Sequence, residues 1–167
     1  MKLTYVNLGE GEEAIKRTLQ LMSEFVKTGS SDFVVIDTAR KIIKDIPVNR
    51  YDEAAAVFDW VKHHTRFTRD PWQTETLQAA GLMLYQIQKY GIAWTDCDDL
   101  CILGASLMRS IGLPAGFRAI SQDGKNLTHV YGLVHIAGQW IPWDASNNSY
   151  SLGYEPPAAR QEDYYVD

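Results

Sequence analysis

Trp94-Thr95-Asp96-Cys97-Asp98-Asp99-Leu100 is the stretch that decides the fold of this 167-residue chain. A short polar turn leads directly into an apolar run, and that change predicts a buried helix over residues 97–110. Thr95 or Asp96 is placed to cap the N-terminus of this helix. Gly112 and Pro114 follow it and end it. A cysteine therefore occupies the first turn of a helix that the core holds in place.

A histidine and an aspartate follow on two predicted strands. His129 lies on a strand predicted over residues 127–136, and Asp144 ends a strand predicted over residues 138–144, with a tight turn at Ala137-Gly138. The separation of 15 residues allows a strand, the turn and a return strand, which places the two side chains next to each other. Cysteine, histidine and aspartate are the groups that an activated thiol nucleophile requires. In that chemistry His129 is the base and Asp144 orients its imidazole.

The charge around Cys97 argues against activation of its thiol. Asp96, Asp98 and Asp99 surround the cysteine, and negative charge raises the pKa of a thiol. Activation then requires these carboxylates to point away, to serve as caps, or to be neutralised by a cation such as Arg118. The alternative is that Cys97 is a small buried hydrophobic residue.

The remainder of the chain has helices first and strands second. Helical patterns cover residues 9–28, 32–45, 51–64 and 74–90, the last as a weak helix or a mixture of helix and loop. Asp32 is placed to cap the second helix. Residues 115–121 form the first of three predicted strands. This order is typical of an α+β fold, here one domain over residues 1–167. The tail from Ser146 onwards is polar, and Tyr164-Tyr165 is either a docking element or frayed.

Composition limits the classes of protein to consider. Apolar residues make up 46% of the chain and charged residues 22%, as in ordinary globular proteins. The net charge of −5 argues against a nucleic-acid partner. No apolar run is long enough for a membrane span, and the N-terminus lacks the apolar stretch of a secretory signal. We therefore expect a cytoplasmic protein that binds neither nucleic acid nor membrane.

Other cysteine and histidine residues offer alternatives. Cys97 and Cys101 lie one helical turn apart, where a disulfide would strain the helix, so both are expected as reduced thiols. A zinc site would need two further ligands, and the adjacent pair His63-His64 does not supply the spacing of a zinc motif. We expect no metal and no cofactor. His135 is a rival base, because it lies six residues after His129 and shares its strand face.

Several segments carry, in a fixed order over residues 10–145, the pattern of a known family. The central ones are residues 96–100 (DCDDL), 111–118 (IGLPAGFR), 129–131 (HVY) and 138–145 (GQWIPWDA), and the upstream ones are residues 57–62 (VFDWVK), 67, 69–71 (RDP), 75 and 77–78 (LQ). This ordered set resembles the transglutaminase-like cysteine protein superfamily, and in particular its phage- and prophage-encoded branch.

The resemblance implies a papain-like α+β core in which the nucleophile helix packs on an antiparallel sheet. It makes Cys97 the nucleophile, His129 the base and Asp144 the orienting acid. Active members attack an amide carbonyl to form a thioester, whose acyl group passes to water or to an amine. The branch usually has glycine at the position of Thr95, and a β-branched residue there restricts the turn before the cysteine.

Three functions follow from this resemblance. The first is hydrolysis of an amide bond in a peptide, a protein or a peptidoglycan-like cross-link. The second is transfer of a glutamine acyl group to an amine, the transglutaminase reaction. The third is a catalytically silent binding or structural module with phage structural proteins as partners and a virion-associated location. Trp94 is the candidate donor to the oxyanion hole and Trp72 the alternative, although packing is the other interpretation of both indoles.

Overall fold

The computed structural model describes residues 11–71 and 75–167. Two of its elements, the central helix and the first long strand, have the bounds that the sequence predicts. In chain order the elements are α1 (Glu12–Gly29), α2 (Phe33–Ile43), α3 (Arg50–His64), β1 (Thr65–Phe67), α4 (Ala80–Tyr90), β2 (Ala93–Thr95), α5 (Cys97–Ser110), β3 (Ala115–Ser121), β4 (His129–Ile136), β5 (Gln139–Trp143) and β6 (Arg160–Tyr165).

The helices follow the predicted pattern, and α2 and α4 are shorter than predicted. The start of the helix predicted over residues 9–28 and the start of that predicted over residues 74–90 lie outside the described residues. Within the described part, α4 begins only at Ala80, so the segment before it is loop. Asp32 caps α2 as predicted, because its carboxylate accepts the backbone N–H of Val34 at 3.0 Å.

Four strands form an antiparallel sheet in the order β5-β4-β3-β6. β3, β4 and β5 were predicted and β6 was not. Tyr164-Tyr165 lies in this strand and is therefore not frayed, and its role as a docking element stays a prediction. β6 pairs with β3, and Arg118 lies opposite Asp163 in that register. Their side chains form an ion pair, N–O 2.6 Å, across the two strands. A cross-strand pair of opposite charge stabilises such a polar strand in the sheet.

Helix α5 lies at the centre of the molecule, between the other helices and the sheet. Eleven of its fourteen residues are buried. Trp143 at the end of β5 packs between this helix and β4, because Gly104 and Gly132 leave room for its ring. A Cβ atom would lie 2.4 Å from the ring at Gly104 and 2.0 Å at Gly132. This contact fixes the end of β5, and therefore the position of Asp144, relative to α5.

Candidate active site

The backbone around Cys97 is fixed before its helix begins. β1 and β2 pair in parallel, and the backbone N–H of Thr68 donates to the carbonyl of Thr95 at 2.7 Å. Thr95 is extended and buried in β2, a conformation that suits a β-branched side chain. Asp96 then caps α5, since its carboxylate accepts the backbone N–H of Asp99 at 3.0 Å. Cys97 is the first residue of α5, at the positive end of the helix dipole.

His129 and Asp144 are brought together by the antiparallel pairing of β4 and β5. His129 begins β4, Asp144 follows the last residue of β5, and His129 Nε2 lies 2.7 Å from Asp144 Oδ2. Because the ionised carboxylate only accepts, Nε2 carries the hydrogen and Nδ1 is the acceptor of the neutral ring. The two residues that the spacing placed side by side are thus hydrogen bonded.

Asp144 is held as a buried carboxylate. It is 2% exposed, and its Oδ1 accepts both the backbone N–H of Ser146 at 2.9 Å and the hydroxyl of that serine at 2.6 Å. Burial raises the pKa of Asp144, but the hydrogen bonds from His129 and Ser146 outweigh it, and the pKa lies below its ordinary value. The side chain therefore stays ionised at neutral pH, as an orienting group for an imidazole must.

Cys97 and His129 open onto the same cavity, whose volume is about 120 Å³. Helix α1, the sheet and the segment before β4 supply the apolar part of its lining, and four polar side chains supply the rest. The predicted nucleophile and the predicted base therefore both belong to the lining of one cavity. The apolar wall is made by Ile15, Leu19, Ala119, Leu127 and Val130, and the polar part by Thr18, Glu75, Asp98 and Thr128.

The Cys97 thiol donates its hydrogen to Asp98 Oδ1, at an S–O distance of 3.6 Å. Burial, followed by the charges of Asp98 and Asp96, raises the pKa of this thiol well above its ordinary value. The backbone N–H of Val130 acts in the opposite direction but more weakly. The sulfur is therefore protonated at neutral pH in this arrangement, and its hydrogen bond goes to a carboxylate rather than to Nδ1 of His129.

Four carboxyl groups cluster near the first turn of α5: Glu75, Asp96, Asp98 and Asp99, which we call the acidic collar. Burial is the largest cause that raises the pKa of each, and neighbouring carboxylates add to it. The pKa is raised to about 8 for Asp96, about 7 for Asp98 and about 6 for Asp99. Asp99 has the lowest of these three because the backbone N–H and the side-chain amide of Gln78 donate to it at 2.8 and 2.6 Å.

Arg118 does not neutralise the acidic collar, so this one of the three conditions for activation is not met. Its guanidinium donates to Asp163 at 2.6 and 2.8 Å and forms an ion pair with Glu155. Phe117 and Ala119, its neighbours in β3, belong to the core under the helices. Side chains alternate along a strand, so Arg118 points to the other face of the sheet.

The indole of Trp94 lies edge-on against Tyr90, with ring centroids 5.9 Å apart, and is 47% exposed. Trp94 is not among the residues that line the cavity. This geometry gives no support to the predicted role of its indole in an oxyanion hole. Trp72, the alternative, lies outside the described residues. The backbone N–H groups of the first turn of α5 are donors that the fold itself supplies at the thiol.

The other candidate bases and ligands have their own neighbours. The ring of His135 packs edge-on against Trp140, with centroids 5.0 Å apart. His63-His64, at the end of α3, use Nδ1 to hydrogen bond backbone carbonyls of their own helix. Cys101 is buried and, like Cys97, is a free thiol. Within residues 11–71 and 75–167, no group of three or more His, Cys, Asp or Glu side chains is arranged to hold a metal ion.

Two residues that support the site were not predicted. Ser146 fixes Asp144, and the Asp-x-Ser spacing of a side-chain-to-backbone turn was a usable local signal. Gln78 fixes Asp99 and also donates its side-chain amide to the carbonyl of Trp94 at 2.9 Å. Residue 78 belongs to the pattern of the resemblance, but its partners are distant in sequence, so no local signal gives this role.

Solved structures share this fold at low sequence identity. A candidate protease from Parabacteroides distasonis superposes with a TM-score of 0.61 at 12% identity, over 89% of this chain and 35% of the other. A candidate cysteine protease from Cytophaga hutchinsonii gives a TM-score of 0.51 at 19% identity, over 80% of this chain and 51% of the other. A structure described as a TGase reaches a TM-score of only 0.41, at 14% identity, over 92% of this chain and 37% of the other. No protein-family model and no curated protein matches the chain.

The likeness confirms the predicted α+β fold class, in which helices pack on an antiparallel sheet. The chain spans 35% and 51% of the lengths of the first two proteins, so their full architecture extends well beyond the part that superposes. None of the described helices combines the length and the apolar character needed to cross a membrane.

Proposed function

We propose that this chain carries out thiol-dependent amide-bond chemistry through Cys97, His129 and Asp144, with hydrolysis as the outcome. One observation carries the proposal. The 2.7 Å hydrogen bond from His129 Nε2 to Asp144 Oδ2 leaves Nδ1 as a proton acceptor on a ring that lines the same cavity as the thiol. A base oriented by a buried carboxylate next to a cysteine is the arrangement that nucleophilic catalysis uses.

In the acylation step, the S–H bond of Cys97 breaks and its proton passes to Nδ1 of His129 while sulfur bonds to the amide carbon. The C–N bond then breaks, His129 returns the proton to the leaving amine, and a thioester remains. In the second step, water gives a proton to Nδ1 and bonds to the thioester carbon. The C–S bond breaks, the carboxylic acid leaves and the thiol regains its proton. Asp144 stabilises the imidazolium in both steps.

The oxyanion of each tetrahedral intermediate needs hydrogen-bond donors. The first turn of α5 offers backbone N–H groups of Cys97 and Asp98, which have no partner within their own helix. Such preformed donors stabilise developing negative charge without reorganisation. In this proposal the backbone of α5 stabilises the oxyanion, in place of the Trp94 indole that the sequence analysis suggested.

The substrate in this proposal is a peptide or protein amide, and a peptidoglycan-like cross-link offers the same bond. A cavity of about 120 Å³ admits a small group beside the sulfur, so most of the substrate would lie outside it. Transfer to an amine, the transglutaminase reaction, proceeds through the same thioester. Three further points stay predictions from the sequence: membership of the phage-encoded branch, phage structural proteins as partners and a virion-associated location.

A second candidate function has its own support. The thiol is hydrogen bonded to Asp98 and its pKa is raised, which is the opposite of a preformed thiolate–imidazolium pair. A catalytically silent binding module with the same fold fits this observation. The two candidates differ in one property, the ability of Cys97 to take up an acyl group with help from His129.

Acylation by p-nitrophenyl acetate separates the candidates without knowledge of the natural substrate. The experiment uses Cys101→Ser, so that Cys97 is the one cysteine present, and adds either His129→Ala or the matched control His135→Ala, the other histidine of β4. Mass spectrometry of the Cys97 peptide measures the acetyl thioester. If the proposal holds, His129→Ala slows acylation by about 100-fold or more, and His135→Ala leaves it unchanged.

Equal acylation in all three variants would contradict the proposed function and favour the silent module. Where acylation does depend on His129, a peptide-amide substrate tests the full reaction, and an added primary amine tests its outcome. Free acid indicates hydrolysis, whereas an amide of the added amine indicates transfer.

A further inference from the structure

Asp98 is the member of the acidic collar that contacts the thiol. Asp96 caps α5 through the backbone N–H of Asp99, and Asp99 receives the two hydrogen bonds from Gln78. Both of these carboxylates therefore have a structural partner. Asp98 is 6% exposed, and its Oδ1 accepts the hydrogen of the Cys97 thiol. Asp98 is buried, follows Cys97 directly in the sequence and contacts its thiol, so its role lies at the thiol itself.

The contact has two consequences for the sulfur. It directs the S–H bond towards Asp98, and so away from the imidazole that is to receive the proton. It also places a negative charge, or a group that becomes negative, beside the position where thiolate would form. Like charges at this distance disfavour ionisation. Arg118, the cation considered as a neutralising neighbour, is bound to Asp163 on the other face of the sheet.

We propose that Asp98 is a positioning residue that holds Cys97 in a protonated resting state, and that the thiol reaches His129 only after leaving this carboxylate. The proposal rests on the proposed function, and it assigns to the same site a means of keeping the nucleophile inactive until a ligand occupies the cavity. Glu75 supports the arrangement, because it lines the same cavity and its charge acts on Asp98.

The alternative role for Asp98 is that of a base that accepts the thiol proton. The two roles predict opposite effects of Asp98→Asn. Asparagine has the same shape but no charge, and its amide can donate to a thiolate. If Asp98 restrains the thiol, the Cys97 thiol of the variant ionises more readily and is alkylated faster. If Asp98 is the base, the variant reacts more slowly.

Alkylation by iodoacetamide measures this directly, again in Cys101→Ser. In this reaction the S–H bond breaks, the proton goes to His129 or to water, the S–C bond forms and iodide leaves. The rate is recorded from about pH 6 to about pH 10, and for a midpoint above this range the displacement of the rising limb along the pH axis measures the shift. In Asp98→Asn we expect the midpoint of the rate profile to fall by at least about one pH unit, which makes alkylation at neutral pH about tenfold faster.

The matched control is Asp99→Asn, the neighbouring carboxylate that binds Gln78 and does not contact the sulfur. The groups that share the environment of Asp98 are Glu75, Asp70, Asp99 and the thiol itself, so Glu75→Gln provides a second test. It removes a charge next to Asp98 and is expected to move the midpoint in the same direction by a smaller amount. Circular dichroism shows whether each variant is folded, and Glu75→Gln keeps the test valid if Asp98→Asn is not.

An unchanged or higher midpoint in folded Asp98→Asn would overturn the inference, as would an equal shift in Asp99→Asn. If Asp98→Asn does not fold, an unchanged or higher midpoint in Glu75→Gln overturns it instead. These outcomes are separate from those of the proposed function, since they use different variants and a different reaction. A lower midpoint in Asp98→Asn without His129-dependent acylation would support the restraint and reject the triad chemistry.

Discussion

Raising the pH from about 5.5 to about 8.5 is expected to destabilise this protein, because carboxyl groups of the acidic collar hold protons in the folded state that they lose when the chain unfolds. Asp96 shows the effect most clearly. Its pKa is raised from 3.8 to about 8 in the folded protein, first by burial and then by the charges of Asp99 and Asp98. Over this range the folded state binds more protons than the unfolded state, so the free energy of unfolding falls as the pH rises.

The size of the effect follows from the two pKa values. Between them, one such carboxyl reduces the free energy of unfolding by about 1.4 kcal/mol per pH unit, so Asp96 alone accounts for roughly 3 kcal/mol over the window. Asp98 and Asp99 add to the decline up to about pH 7 and about pH 6, where they ionise in the folded state. Since the three groups repel one another and share this cost, we expect a total of roughly 3–6 kcal/mol. Asp144 does not oppose the trend, because its lowered pKa affects stability only in more acidic solution.

The discriminating variants are Asp96→Asn and Asp96→Ala. Asparagine keeps an oxygen that can accept the N–H of Asp99, and it caps helices as well as aspartate does, but it cannot ionise. Its stability profile near pH 7 should be shallower than that of the wild type by about 1.4 kcal/mol per pH unit. Alanine also removes the titration but loses the cap, so its curve should have the same shallow slope and lie about 1 kcal/mol lower.

Urea unfolding, followed by tryptophan fluorescence at four pH values across the window, gives the required free energies. The reasoning is refuted if the wild-type protein is equally stable at both ends of the window or more stable at the alkaline end. It is also refuted if Asp96→Asn keeps the wild-type slope, because the titrating group would then be elsewhere.

Two further substitutions test the support of the site. Gly132→Ala should destabilise the protein by about 3 kcal/mol or more in thermal unfolding, because the added Cβ would lie 2.0 Å from the Trp143 ring; a change below about 1 kcal/mol would show that the ring moves aside freely. Ser146→Ala removes one of the hydrogen bonds that lower the pKa of Asp144, so the free energy of unfolding should fall less on acidification below about pH 4 than in the wild type, while Ser146→Thr should keep the wild-type profile. An unchanged profile in Ser146→Ala would show that the backbone N–H of residue 146 and His129 suffice.

Local signals predicted the central elements of the fold well. The polar turn before Cys97 and the Gly-Leu-Pro stop defined α5, and the turn at Ala137-Gly138 was correct because both residues adopt positive φ, 51° and 80°. β6 was missed because its sequence is polar and its pairing depends on Arg118 in a distant strand. β1 and β2 are three residues long each and pair in parallel across an intervening helix, which no short window reveals.

The candidate site shows the same division between local and distant information. His129 and Asp144 were found from their spacing, because a strand, a turn and a return strand impose their own geometry. The alternative that Arg118 neutralises the carboxylates could have been excluded from the sequence, since strand alternation places Arg118 on the face opposite to Phe117 and Ala119. The roles of Gln78 and Asp98 were not predictable, because they depend on which carboxylates of the collar face a cap, an amide or a thiol.

The acidic collar links stability and reactivity in one set of side chains. Ionising Asp98 costs folding free energy because the group is buried, and the same charge opposes the thiolate of Cys97. Asp98→Asn is therefore expected to stabilise the protein in alkaline solution and to speed alkylation together. A structural carboxylate with no role at the sulfur would give the first effect without the second. Measuring both in the same variant thus separates a restraint on the nucleophile from a buried acid that the fold merely tolerates.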